Sequence, residues 1–153
     1  MTKEQKRLRK NGIIVAVLSI LLTTAVWSPL YPLAQLFLTL AHWPFFEAPE
    51  ALDATGRLML AIGGGLTTGM GTMMWVVGTE VIPVAPRAGR RVVLFSASAW
   101  FLIDSLFSIV AGSPFNAALN LIFLALMLGS LNLRETMAAR ERRGGIENGQ
   151  KAL

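Results

Sequence analysis

The chain has 153 residues, a net charge of +5 and no cysteine, so disulfides, thiolate catalysis and cysteine-ligated metal clusters are excluded. Apolar residues make up 54% of the sequence and charged residues only 15%. A bilayer core about 30 Å thick requires about 20 apolar residues of helix for each crossing. Long, nearly uncharged stretches of this kind recur along the chain, which indicates a membrane protein surrounded by lipid.

The predicted architecture is all-α and polytopic, a four-transmembrane-helix bundle. A basic arm occupies residues 1–12, the transmembrane domain residues 13–133, and a basic tail residues 134–153. The predicted spans lie at about 13–41, 58–78, 92–111 and 115–133.

The first predicted span is longer than one crossing needs, and Pro29 and Pro32 interrupt it. Proline lacks the backbone N–H of a helix interior and clashes with the preceding turn. We therefore expect one long helix with a proline kink. The alternative, which the sequence leaves open, is that residues 30–43 form a separate segment lying in the membrane interface.

The positive charges predict the orientation. All but one of the 14 Lys and Arg residues fall in the N-terminal arm, the loop after the second span, or the tail, and the exception is Arg57. Short basic segments stay in the cytoplasm, so both termini are expected there. Because these charges sit at the ends of apolar spans, the expected partner is the lipid bilayer and no nucleic-acid partner is predicted.

The second span contains a run of small residues between positions 63 and 72. Small side chains on one helix face let two backbones approach closely in a membrane. We expect a packing face at this run, either against another helix of this chain or against a second copy or a larger membrane complex. Its predicted residues are Gly64, Gly65, Thr68, Gly69 and Gly71.

An acid in the third span is the second notable feature. A charged side chain at that depth costs about 2.5–3.5 kcal/mol on insertion scales, so Asp104 should face protein or water. A tight turn at 112–114 joins the third and fourth spans, and Asp104 and Asn120 lie equally far from Gly112. We therefore expect an intramembrane polar cluster at this level. Its predicted members are Asp104, Ser108, Asn116, Asn120 and Arg57.

Two roles remain open for Asp104. It is either a structural polar clamp bonded to Asn120 or a site that responds to protons or cations. Arg57 either bends inward to neutralise the acid or extends to lipid headgroups. Because His42 is the single histidine and the chain has no cysteine, no metal or haem site is predicted. No cofactor is expected. Since no base or second acid lies near Asp104 in the sequence, an enzyme is not expected.

These motifs together resemble an uncharacterised family of small four-span proteins of proteobacteria. The resemblance covers roughly residues 58–133 and implies the four-helix architecture and an inner-membrane location. It implies no activity, so no functional residue is transferred. The quoted pattern is Gly63-Gly64-Gly65…Gly69-x-Gly71…Trp75 followed by Trp100-Phe101-x-x-Asp104-Ser105…Ser108…Gly112…Asn116…Asn120.

The sequence predicts an integral inner-membrane protein that acts through helix–helix contacts as a structural or accessory subunit. The alternative is a small, oligomeric, proton- or cation-linked transporter or channel that uses Asp104. The small size of the bundle favours the first, and the polarity of the third and fourth spans favours the second.

Overall fold

The computed structural model describes residues 1–27, 29–44 and 52–131. Within these ranges the chain is helical and has no β-strand, which confirms the all-α prediction. The predicted tail, residues 134–153, lies outside the described residues. The elements are α1 (Lys3–Ala25), α2 (Tyr31–His42), α3 (Ala54–Val76), a π-helix (Val77–Val81), α4 (Ile82–Val84), α5 (Pro86–Val110) and α6 (Pro114–Leu128).

Helix α1 begins within the stretch predicted as a separate basic arm. Thr2 caps it with a capping box: its hydroxyl accepts from the Gln5 amide at 3.2 Å, and the Gln5 side chain accepts from the Thr2 amide at 2.6 Å. Such reciprocal bonds satisfy two backbone donors that a helix start otherwise leaves open. The basic residues before position 13 are therefore the first turns of α1.

The expected single helix with a proline kink is instead two helices. Helix α1 ends at Ala25, and α2 starts at Tyr31 with Pro32 in its first turn. Proline is tolerated in a first turn, where its missing N–H has no intrahelical partner to lose. A proline in the helix interior would break a bond, so the proline pair separates the two helices.

The long helices form two antiparallel pairs, which we term the two hairpins. Helix α3 packs along α1, and α6 packs along α5. The α5–α6 turn is a Schellman motif: Gly112 has a φ of 80°, and the Ser113 amide donates to the Ser108 carbonyl at 2.8 Å. Glycine is favoured at Gly112 because side chains rarely tolerate a positive φ. Helix α2 contacts both α1 and α6.

A main apolar core joins the two hairpins at the end of the bundle that carries Lys3, Lys6, Arg87 and Arg91, which we term the basic end. Residues of α1, the α3–α4 segment, α5 and the end of α6 meet there. Between helices in lipid, such side chains stabilise the contact chiefly through close van der Waals packing. The core consists of Leu8, Val15, Met74, Val77, Ile82, Val93, Ala97, Met127 and Leu131.

A buried ion pair also joins the hairpins at the basic end. Nε and Nη2 of Arg90, on α5, donate to the two carboxylate oxygens of Glu4, on α1, at 2.8 and 2.7 Å. The two side chains are only 10% and 8% exposed. Close by, the Asn11 amide donates to the Leu126 carbonyl at 2.8 Å, so α1 is held to both helices of the second hairpin.

The described helices have the dimensions of membrane spans. Lys3–Ala25, Ala54–Val84 and Pro86–Val110 are each long and apolar enough to cross a bilayer. Large apolar side chains such as Leu102 and Phe107 are more than half exposed, as lipid contact requires. Helix α6 is apolar but shorter: its 15 residues end at Leu128, before the end of the predicted span at 115–133, of which residues 132 and 133 lie outside the described part.

Three glycines of the α3–π segment lie against α1. A Cβ built on Gly71 would come within 2.6 Å of the Gly12 carbonyl oxygen, and one on Gly78 within 2.8 Å of the Leu8 Cβ. A Cβ on Gly64 would overlap the Thr23 hydroxyl. These glycines recur every seven residues, which keeps them on one side of a helix packed along its neighbour.

The rest of the predicted packing face points elsewhere. A Cβ built on Gly65 or Gly69 meets no described atom within 4 Å, and Thr68 is half-buried. Each residue rotates an α-helix by about 100°, so Gly65 lies well around the helix from Gly64. The expected packing role of Gly65 and Gly69 is therefore not fulfilled by the described residues, whereas Gly64 and Gly71 lie in the α1–α3 contact.

We predict that Gly71→Ala destabilises the protein and that Gly69→Ala does not. A methyl group at position 71 forces two backbones apart, at a cost of about 1–3 kcal/mol. At position 69 it meets open space, and its higher helix propensity is favourable by up to about 1 kcal/mol. Thermal unfolding of both variants in mild detergent, followed by circular dichroism, measures the difference. Equal melting temperatures would contradict the α1–α3 contact.

We also predict that Arg90→Met destabilises the protein by about 3–5 kcal/mol, because the Glu4 carboxylate loses its bidentate partner while remaining buried. The double variant Glu4→Gln/Arg90→Met should be more stable than the sum of the two single variants implies. Arg91→Met is the matched control, since Arg91 is exposed and its guanidinium lies 5.9 Å from the Phe95 ring centroid. A similar loss for Arg90→Met and Arg91→Met would refute this role of the ion pair.

Candidate functional site

The structure brings Asp104 of α5 together with two asparagines of α6. The Asn120 amide nitrogen donates to Oδ2 of Asp104. The Asn116 amide nitrogen lies 3.4 Å from the same oxygen and donates to the Ser108 hydroxyl at 2.9 Å. This register follows from the hairpin, because a tight turn places residues equally distant from Gly112 at the same height.

Ser105 belongs to this group although it is absent from the predicted cluster. Its hydroxyl accepts from the Asn120 amide nitrogen at 3.3 Å. Ser105 is buried and Asn120 is only 5% exposed, whereas Asp104 is half-buried. The position of Ser105 directly after Asp104 was the available signal in the sequence. Because each residue rotates an α-helix by about 100°, adjacent residues were expected on different faces.

Arg57 does not join the cluster. It lies in the first turn of α3, where Asp53 caps the helix by accepting from the Gly56 amide at 2.6 Å. The Arg57 side chain is exposed and makes no ion pair with Asp104 in the described part of the chain. A long basic side chain at a helix end keeps its charge in water more readily than in a protein interior.

Asp104 lines an interhelical cleft of about 520 Å³. The cleft lies in the half of the bundle away from the basic end, between the two hairpins and beside α2. The α5–α6 side carries the polar wall just described. The α1–α3 side contributes three hydroxyls that the sequence analysis did not place near Asp104, those of Ser19, Thr23 and Thr67.

These three hydroxyls are already bonded to their own helices. Thr23 donates to the Ser19 carbonyl at 2.8 Å, and Thr67 donates to the Gly63 carbonyl at 2.9 Å. Ser19 donates to the Val15 carbonyl at 2.9 Å. Because each donor hydrogen is used, what remains available on this wall is the acceptor capacity of the oxygens.

The rest of the lining is apolar. Aromatic and aliphatic side chains of all five long helices contribute to it, and the Trp100 and Phe123 rings pack edge to face with centroids 6.4 Å apart. These apolar lining residues include Leu22, Phe37, Leu60, Leu66, Trp100, Ile103, Leu119 and Phe123. The cleft is therefore a mainly apolar space with one polar wall.

The charge of the cleft comes from one side chain. Among the described residues that line it, Asp104 is the sole ionisable one. Both amide donors reach Oδ2, and Oδ1 receives no hydrogen bond from the described residues. The cleft thus holds a carboxyl group whose second oxygen is available to a proton or to a cation.

Comparisons of this chain with protein-family models, with curated proteins and with solved structures gave no match. The resemblance to small four-span proteins of proteobacteria is therefore still a prediction. Function must be inferred from the geometry of this chain, in which the Asp104 cleft is the candidate site.

Proposed function

We propose that this protein binds a proton or a cation at Asp104 within the membrane, as a small ion-linked transporter or channel. The observation that supports this function best is the available Oδ1 of the one ionisable side chain lining the cleft. An ionised acid in a span is costly unless something compensates it. Since no described basic residue lines the cleft, a proton or a mobile cation is the natural compensation.

The two asparagines have a positioning role in this proposal. By donating to Oδ2, Asn116 and Asn120 hold the carboxyl group in one orientation and leave Oδ1 for the ligand. Exchange of a proton for a monovalent cation at Oδ1 would leave the net charge of the cleft unchanged, because the ionised carboxylate and the bound cation together are neutral. No catalytic role is proposed, because the described lining of the cleft holds no second ionisable group to share acid–base work.

The proposed setting is the inner membrane of a bacterium, crossed four times, with both termini in the cytoplasm. The basic end, defined above, supports this orientation through the positive-inside rule. The proposed fourth crossing is α6, which is apolar and rises about 22 Å over its 15 residues. The cleft then lies in the outer half of the membrane, since it extends to Ser113 beside the α5–α6 turn.

A carbodiimide tests the proposal because it adds to protonated carboxyl groups in apolar surroundings and leaves a stable N-acylurea. We expect dicyclohexylcarbodiimide to label Asp104 and added cations to protect it in a saturable manner, with mass spectrometry as the measurement. Asp104→Asn should remove the labelled peptide while keeping the melting temperature, because its amide oxygen can still accept from Asn120. Glu80→Gln, at an exposed acid of the π-helix, is the matched control and should leave Asp104 labelling unchanged. If Asp104 is labelled and no cation protects it, the proposed function is restricted to proton binding; if Asp104 is never labelled, the proposed function is wrong.

A second candidate function is that of a structural or accessory subunit acting through helix contacts. The uncovered small-residue surface of α3, formed by Gly65 and Gly69, favours it, because close packing in membranes uses such surfaces and the described residues leave this one empty. The occupant would be a second copy of the chain or another membrane protein.

We predict that Gly65→Leu reduces the size of the complex extracted in mild detergent if this second function is correct, since a leucyl side chain prevents close backbone approach. Native mass measurement detects the change. Ala99→Leu, on an exposed position of α5, is the control and should keep the wild-type mass. An unchanged mass for Gly65→Leu excludes the Gly65 surface as an assembly contact.

A further inference from the structure

We infer that the ligand of the Asp104 cleft is an amphipathic organic cation, a small ammonium group attached to an aromatic or aliphatic body. This inference rests on the proposed function and specifies its substrate class. It follows from the size of the cleft, its charge, and the kind of side chains beside Asp104.

The size of the cleft fits a small molecule. Its volume of about 520 Å³ falls within the range of roughly 300–1,000 Å³ typical of small-molecule sites. Such sites are mostly apolar and contain a few convergent polar groups that orient the ligand. The Asp104 wall facing aromatic and aliphatic side chains has this composition.

The charge of the cleft selects a cation. Oδ1 of Asp104 is available. The amide nitrogens of Asn116 and Asn120 donate to Asp104 and to serine, whereas their side-chain carbonyl oxygens receive no hydrogen bond from the described residues. An ammonium group supplies the missing donors or, when quaternary, the missing charge. The acceptor oxygens of Thr23 and Thr67 on the opposite wall add no competing positive charge.

The oxygen atoms that line the cleft do not form a suitable ligand set for a divalent metal ion. No three His, Cys, Asp or Glu side chains lie together in the part of the chain that the structure describes. Calcium takes 6–8 oxygen ligands, usually several of them carboxylates, whereas this wall offers one carboxyl group and neutral oxygens. An organic cation needs only one counter-charge and an apolar surface.

Aromatic side chains beside Asp104 provide an apolar surface for the body of such a ligand. Trp100 is four residues before Asp104, one turn along α5 and on the same face. Their Cα atoms are therefore about 6 Å apart along the helix axis, and both side chains line the cleft. Phe123 packs edge to face on Trp100 and fixes the ring, so head and body meet different parts of one continuous wall.

The test uses three probes in the carbodiimide protection assay on the full chain in mild detergent. Benzyltrimethylammonium has both charge and body, tetramethylammonium has the charge alone, and neopentylbenzene is the uncharged isostere of the first. Benzyltrimethylammonium should protect Asp104 at a concentration at least about tenfold lower than tetramethylammonium, because it also buries an aromatic ring. Neopentylbenzene should give no protection.

Two substitutions on α5 test whether the apolar body of the ligand contacts Trp100. Trp100→Leu should abolish the advantage of benzyltrimethylammonium while leaving protection by tetramethylammonium unchanged. Phe107→Leu is the matched control, because Phe107 is on the same helix but is 59% exposed and outside the cleft lining, and it should retain the advantage. Melting temperatures confirm that both variants fold.

The outcomes separate the inference from the proposed function. Equal protection by tetramethylammonium and benzyltrimethylammonium would overturn the inference and leave cation binding at Asp104 intact. Protection by neopentylbenzene would overturn it as well, because occupancy would then not depend on charge. Protection by neither cation would refute the inference and restrict the proposed function to proton binding, whereas an Asp104 that is never labelled would refute both.

Discussion

The Glu4–Arg90 ion pair is the interaction on which the arrangement of the two hairpins depends. It joins the first turn of α1 to α5 across 86 positions of sequence, at a depth where neither charge has ready access to water. Desolvating two charges is expensive, and a bidentate contact compensates only when its geometry is well defined. The pair therefore fixes how α1 and α5 meet at the basic end, and the main apolar core packs at that same end.

Close backbone contact fixes the first hairpin in a different way. Gly12 and Gly71 let α1 and α3 approach so closely that a Cβ on either glycine would overlap backbone atoms of the other helix. In lipid, where burial of apolar surface between helices gives little net gain, this dense packing is the main source of association. The main apolar core and the ion pair join the two hairpins at the basic end, and the cleft lies between them in the other half of the bundle.

The sequence predicts the features that depend on local periodicity. It does not predict those that depend on contacts between residues far apart in the chain. Apolar runs locate the long helices, and the Gly112 turn sets the register that brings Asp104 to Asn120. The Glu4–Arg90 pair has no such signal, since nothing local relates residues in separate helices. The α3 glycines illustrate the same limit: small residues cover two faces of one helix, and only the position of α1 decides that Gly71 is packed and Gly69 is not.

The chemistry of the cleft follows from which hydrogen bonds are already made. Thr23 and Thr67 use their hydroxyl hydrogens on their own helices, so they cannot neutralise Asp104 by donating to it. Asn116 and Asn120 donate to one carboxylate oxygen from the neighbouring helix and leave the other available. Closing the cleft on itself would bury this unsatisfied oxygen against acceptors and apolar groups, at a cost that an ionised carboxylate makes larger. A ligand that brings a positive charge removes that cost, so the same hydrogen-bond pattern that keeps the cleft open also favours its occupation by a cation.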